Sequence, residues 1–153
     1  MILLVSQETP QPAHVPAEQG LGLLLAQVCR SHRNLVATAL SRISVSVGQD
    51  HVVHRLAVAE GITQSELADA LCVDTSTVAK TLARLQRDGI VERRPDPADG
   101  RISRVHLTEH GRTLVRPVLE IWNDAERRLV KDLSEAERLL LRRLLRQLQS
   151  NLG

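Results

Sequence analysis

Thr75, Ser76, Thr77, Lys80, Thr81 and Arg84 fall within a short stretch in which Val78, Leu82 and Leu85 recur at helical spacing. On a helix the aliphatic set turns inward and the hydroxyl and basic set is left on the outer face. Small side chains near the start would let such a helix approach base edges, and Lys80 and Arg84 further along could reach phosphate or guanine. That is the chemistry of a major-groove reader. Taken alone, the same pattern also describes an ordinary solvated helix face. Arg94 and Arg101 tip the balance, because they flank a turn containing Pro95, Pro97, Asp99 and Gly100. A stiff hairpin tip carrying an arginine fork can enter a minor groove, where the potential is most negative.

Other chemistries find little support. Gly20-Leu21-Gly22 lacks the third glycine and the preceding strand of a phosphate loop. No Gly-x-Ser-x-Gly elbow or His-Glu-x-x-His helix occurs, so no catalytic centre is expected. His51 and His54 are close in sequence, as are His106 and His110, but neither pair brings Cys or acidic ligands in a zinc pattern. No metal or cofactor is expected.

The elements that must position the basic face follow from periodicity and capping. Leu21, Leu25, Val28, Leu35 and Ala39 predict one long helix from Glu18 to about Arg42, with Leu24, Cys29, Val36 and Leu40 widening its apolar face. Ser46 is expected to cap a short helix ending at Gly61. Thr63-Gln64-Ser65-Glu66 is a capping box that opens a helix through about Leu71, and Asp74 caps the next, which Gly89 ends. Two short helices across the turn Cys72-Val73-Asp74 make a helix-turn-helix. The period then becomes alternating, and strands over 90–94 and 102–107 flank the proline-rich turn as a hairpin. Thr108 is expected to cap a helix to about Leu133, kinked at Pro117, where the ring removes a backbone donor. Ser134-Glu135-Ala136-Glu137 is a second capping box, opening a last helix with leucines at 140, 141, 144, 145 and 148. That is more apolar surface than one narrow stripe, and it calls for a second surface to cover it.

Composition narrows the partners. The chain has 153 residues, 42% of them hydrophobic and 25% charged, which suits one soluble globular domain. Phe and Tyr are absent and Trp122 is the single aromatic, so modules that stack unpaired bases on rings are excluded. The net charge is only +2, yet 18 of 20 basic residues are Arg, the better phosphate and base-edge reader. Residues 51–79 carry one Arg against four acids, whereas residues 80–104 carry seven bases against four acids. An anionic partner should therefore meet the second segment. Cys29 and Cys72, far apart in a chain without a signal peptide, fit a reducing cytoplasm. Ile2-Leu3-Leu4-Val5 is too short for a membrane span, and Pro10, Pro12 and Pro16 mark residues 1–17 as a flexible arm.

The segment 63–116 resembles the winged-helix core of the MarR (multiple antibiotic resistance) regulators. The resemblance is carried by Thr63-Gln64-Ser65-Glu66-Leu67-Ala68, by Leu82-Ala83-Arg84-Leu85 before Asp88-Gly89-Ile90-Val91-Glu92-Arg93, by Asp99-Gly100-Arg101, and by Leu107-Thr108-Glu109-His110-Gly111-Arg112. It implies a mainly α fold: a winged helix-turn-helix with a two-stranded β-hairpin wing and long N- and C-terminal dimerisation helices. Residues 18–153 would form one such domain, with 46–107 as the DNA-binding lobe and 18–45 and 108–153 as dimerisation helices. The implied function is a homodimeric repressor on a pseudo-palindromic double-stranded operator, with Asp99 bracing basic side chains and Arg101 in the minor groove. Many members also release DNA on binding a small aromatic acid in a cleft between dimerisation helices and DNA-binding lobe. Cys29, His32 and His54 stand on the helices that build this cleft, although a packed or exposed helix residue is the simpler explanation of each. Here the chain departs from the family, whose cleft is often lined by aromatic rings. The hydroperoxide sensors of the family carry a first-helix thiolate supported by tyrosine hydroxyls, which this chain lacks. Redox sensing through Cys29 is the alternative within the DNA-binding reading, and a winged helix used for protein contact is the alternative to that reading.

Overall fold

The computed structural model describes residues 20–153. The expected arm over 1–17, and the expected helix start at Glu18, lie outside the described residues. The order is α1 (Leu21–Ser41), α2 (Gln49–Val58), β1 (Ile62–Thr63), α3 (Gln64–Leu71), α4 (Thr75–Arg87), β2 (Val91–Pro95), β3 (Ser103–Leu107), α5 (Glu109–Leu129) and α6 (Glu135–Leu152). Two compact units meet in sequence at Ser31. In the first, α1 carries Leu21, Leu23, Leu24, Leu25 and Val28, all exposed.

In the second unit, Val36 and Leu40 of α1 join α2, α3, α4, the sheet and α5 around one core. Its fully buried hydrophobic side chains are Leu and Val, branched aliphatics that fill the space between helices, with the half-buried Trp122 packed against them. The helix starts follow the capping chemistry. Glu66 N donates to Thr63 Oγ1 at 3.2 Å while Thr63 N donates to Glu66 Oε2 at 2.6 Å. Ser134 and Glu137 repeat the arrangement at α6. Each box satisfies two amides that a helix start leaves without partners.

Several boundaries differ from the sequence expectation, each with an identifiable contact behind it. The helix expected from Ser46 begins at Gln49 with Gly48 as its N-cap. Ser46 instead donates its amide and its hydroxyl to Gln49 Oε1, both at 2.8 Å. Gly61, expected only to stop that helix, gives its amide to Val105 O at 3.0 Å. It leads into β1, which pairs Ile62 with Val105 and makes the sheet three-stranded in the order β1-β3-β2. α5 runs through Pro117 as one helix and stops at Leu129, four residues early. Beyond it, Arg138 of α6 donates to Val130 O at 3.1 Å and Leu133 O at 2.9 Å, satisfying carbonyls past the helix end.

Two backbone positions set the junctions around the helix-turn-helix and wing. Gly111 sits against the strand: a Cβ there would lie 2.1 Å from Ile90 O, so α5 can dock on the end of β2 only through glycine. Cys72, the C-cap of α3, is left-handed at φ 53°. That conformation costs a non-glycine residue about 1 to 2 kcal/mol, partly offset by the chain entropy that glycine would lose. Cys72→Gly is therefore expected to stabilise the fold by about 0.5 kcal/mol, a gain of a few degrees in Tm for one domain of this size. An unchanged or lower Tm in calorimetry would contradict the assignment of strain at Cys72.

Candidate nucleic-acid interface

The outer face of α4 begins at Asp74. Its carboxylate accepts from Ser76 Oγ at 2.5 Å, Thr77 Oγ1 at 2.6 Å and Thr77 N at 2.8 Å. Those hydroxyls, with the Thr77 amide, hold the Asp74 carboxyl well below the usual carboxylate range. Val78, Leu82 and Leu85 are buried, so the opposite face is free. Thr75, Ser76, Thr77, Lys80 and Arg84 are exposed and Thr81 is half-buried, with its hydroxyl donating to Thr77 O at 3.0 Å. The hydroxyl protons of Ser76, Thr77 and Thr81 are thus committed within the helix. Lys80 and Arg84, one turn apart, form no ion pair among the described residues. They are the cations of this face with both charge and donors to give.

The hairpin presents the second set. β2 and β3 pair from Val91 with Leu107 to Pro95 with Ser103, which puts Arg94 opposite Arg104. Arg94 is an exposed partner of Glu92. At the tip, Asp99 Oδ1 accepts from Arg101 N at 3.0 Å and lies 3.9 Å from Arg101 Nε. The Arg101 side chain is 96% exposed, so the guanidinium is aimed at solvent. All nine residues expected to contact DNA therefore lie on two elements, α4 and the hairpin.

Sequence reasoning passed over the residues behind this surface. Asp96, only 9% exposed, accepts from Ala98 N at 2.7 Å, from Asp99 N at 3.0 Å and from Arg104 Nε. The Arg104 guanidinium, then the two amides, hold the Asp96 carboxyl down at about 2. Arg104 Nη1 also donates to Gly61 O at 2.6 Å and lies 4.0 Å from Glu66 Oε2. Arg93 of β2 donates to Gln64 Oε1 at 2.8 Å. The Asp before Pro97 was a legible signal for a side chain that closes a turn on amides two and three residues ahead.

Of the effector candidates, Cys29 and His32 stand on α1 and His54 on α2. Cys29 is exposed, not buried, on the first unit's part of α1, and His32 is exposed as well. His54 is half-buried, with its ring centroid 5.0 Å from Trp122. His51 lies 4.8 Å from the same indole, whose Nε1 donates to the buried Asp50 Oδ2 at 2.9 Å. Trp122 is therefore occupied by α2. A half-open cavity of about 340 Å³ lies between α1 and α5, bordered by Asn34, Thr38, Arg42, Ile121, Asp124 and Arg128, and neither His32 nor His54 lines it. Among the described residues no three His, Cys, Asp or Glu side chains gather closely enough to hold a metal, and no helix is long and apolar enough to cross a membrane.

Comparison with known proteins decides the family. The MarR family model matches residues 45–103, which span the helix-turn-helix and most of the hairpin. The transcriptional regulator HosA of Escherichia coli O111:H- is 31% identical over 99 residues, 65% of this chain and 73% of that protein. The chain belongs to the MarR family. The HTH-type transcriptional repressor IacR of Pseudomonas putida is similar over a longer span, 29% identical over 128 residues, 84% of this chain and 77% of the repressor. A mutant MarR from E. coli, solved in complex with operator DNA, superposes with a TM-score of 0.77 at 31% identity, covering 84% of this chain and 92% of that one. This MarR-family protein is a mainly helical winged-helix protein and a DNA-binding transcriptional regulator, not an enzyme. MarR regulators are dimers that bind double-stranded DNA and answer small-molecule effectors.

Proposed function

We propose that this regulator is a cytoplasmic, effector-responsive repressor that binds a pseudo-palindromic operator as a homodimer. In this reading residues 46–107 are the DNA-binding lobe, and 18–45 with 108–153 are the dimerisation helices. Thr75, Ser76, Thr77, Lys80, Thr81 and Arg84 face the major groove. Arg94, Asp99 and Arg101 belong to the wing, and Arg101 enters the minor groove. The observation that carries the reading is the free Lys80–Arg84 row on α4 beside a wing whose Arg101 is 96% exposed. A two-fold dimer sets its recognition helices in successive major grooves, so half-sites should sit one helical turn apart, roughly 34 Å. Selection of random duplexes by the purified protein is expected to yield an inverted repeat with that spacing. A single unrepeated site, or no enrichment at all, would remove the proposal.

The effector of the repressor is not expected to be a peroxide acting at Cys29. The thiol is exposed, but the chain holds no tyrosine whose hydroxyl could support a thiolate. Cys29→Ser should leave the response of DNA binding to peroxide unaltered. Peroxide-driven release by the native protein, abolished in Cys29→Ser, would establish the redox reading instead.

A further inference from the structure

We propose that Arg104 is a positioning residue that sets the wing against the helix-turn-helix, so that Arg101 and α4 can engage adjoining grooves together. The proposal rests on the reading of the hairpin as a DNA-contacting wing. It starts from an arginine on the central strand whose guanidinium turns away from open solvent: its side chain is 34% exposed, against 96% for Arg101.

Three elements converge on Arg104. Nη1 donates to Gly61 O at 2.6 Å, in the turn that enters β1. The same nitrogen lies 4.0 Å from Glu66 Oε2, the oxygen that closes the capping box of α3 by accepting from Thr63 N. On its other side Nε donates to Asp96 Oδ2. Asp96 then holds the tip, because its Oδ1 accepts from the amides of Ala98 and Asp99, and its own amide donates to Ile102 O at 2.8 Å. Asp99 in turn holds Arg101. One guanidinium thus links the start of the helix-turn-helix to the turn at the tip of the wing.

The chemistry suits a clamp. A planar fork with several fixed donors can hold a carboxylate and a carbonyl at once, which a lysine cannot do with the same geometry. Two-stranded hairpins twist readily and are marginally stable alone, so the angle of a wing must be fixed by contacts at its root. β1 is only two residues long and supplies little of that restraint. Arg104 supplies the rest through side-chain bonds.

The test is a double-mutant cycle on the selected operator. Arg101→Ala and Arg104→Ala are each expected to weaken binding about tenfold. The double variant should be hardly weaker than either alone, because an unclamped wing no longer delivers Arg101. Independent costs that multiply would overturn the clamp and make Arg104 either a phosphate contact or a fold-stabilising residue. Asp96→Asn separates these further. Deleting an acid beside DNA should tighten binding by charge alone, whereas loss of the clamp partner should weaken it. Tighter binding by Asp96→Asn contradicts the proposal.

Amide hydrogen exchange of the free protein supplies a readout that does not depend on DNA. In Arg104→Ala the Ala98, Asp99 and Arg101 amides are expected to exchange at least tenfold faster, with those of α4 unchanged. Unchanged exchange at the tip would refute the clamp. A native protein that selects no duplex would instead refute the proposed function.

Discussion

Leu144→Glu with Leu145→Glu is expected to convert the dimer into monomers and to abolish operator binding at concentrations where the native protein is saturated. α6 explains why. It is an 18-residue helix with none of its residues buried, and Leu139, Leu140, Leu141, Leu144, Leu145, Leu148 and Leu152 are 38% to 86% exposed. A soluble protein does not leave so long an apolar row in water, and a two-fold interface is the economical way to cover it. Covering the exposed half of each leucine contributes about 1 kcal/mol. In a symmetric dimer the two substitutions fall at four places, and each also carries an unpaired carboxylate into the interface. The dimer dissociation constant should rise at least about a thousandfold, roughly 4 kcal/mol. Sedimentation read beside circular dichroism separates dissociation from unfolding, because the Ser134 and Glu137 cap that starts α6 is untouched. A variant that stays dimeric with native DNA affinity would show that α6 is not the interface.

The substitution with the next largest consequence lies on α4. Lys80→Ala or Arg84→Ala is expected to cost about 1 to 3 kcal/mol per half-site if the side chain reads a base edge. The loss should be confined to one base position, where discrimination relaxes while the rest of the operator preference stands. Ser76→Ala and Thr77→Ala have a different expectation. Their hydroxyl protons are engaged by Asp74, so these changes should register in helix stability as well as in DNA affinity. Thermal unfolding of the free protein distinguishes the two kinds of residue.

These expectations rest on features of unequal legibility. The helix-turn-helix could be read from the chain because both of its starts are declared locally: Thr63 with Glu66, and Asp74 with Thr77, bond across three residues. The hydroxyl and basic face of α4 followed from the same helical period that buries Val78, Leu82 and Leu85. Features fixed by distant partners were not legible. β1 exists because Ile62 meets Val105, and two residues carry no alternating pattern of their own. Asp50 is 1% exposed in a helix start that would ordinarily be solvated, because its carboxylate meets the indole of Trp122, 72 positions later. The Asp96 and Arg104 pair required the hairpin register first: only with Pro95 opposite Ser103 do their side chains meet. Cys29 could be placed on a helix, whereas its exposure depended on packing that spacing does not encode.

The division of labour between α4 and the wing is the central claim, and binding titrations against single-base operator variants at two salt concentrations test it most directly. Each phosphate contact or groove-inserted cation releases counterions, so removing one flattens the salt dependence by about one unit of slope. Arg101→Ala is expected to weaken binding to every duplex by a similar factor and to flatten that slope, since the minor-groove code is degenerate. Lys80→Ala or Arg84→Ala should instead change the ranking of the duplexes. Native affinity of Arg101→Ala on every duplex at both salt concentrations would contradict the account, and would return the winged helix to the alternative of a protein-contact module.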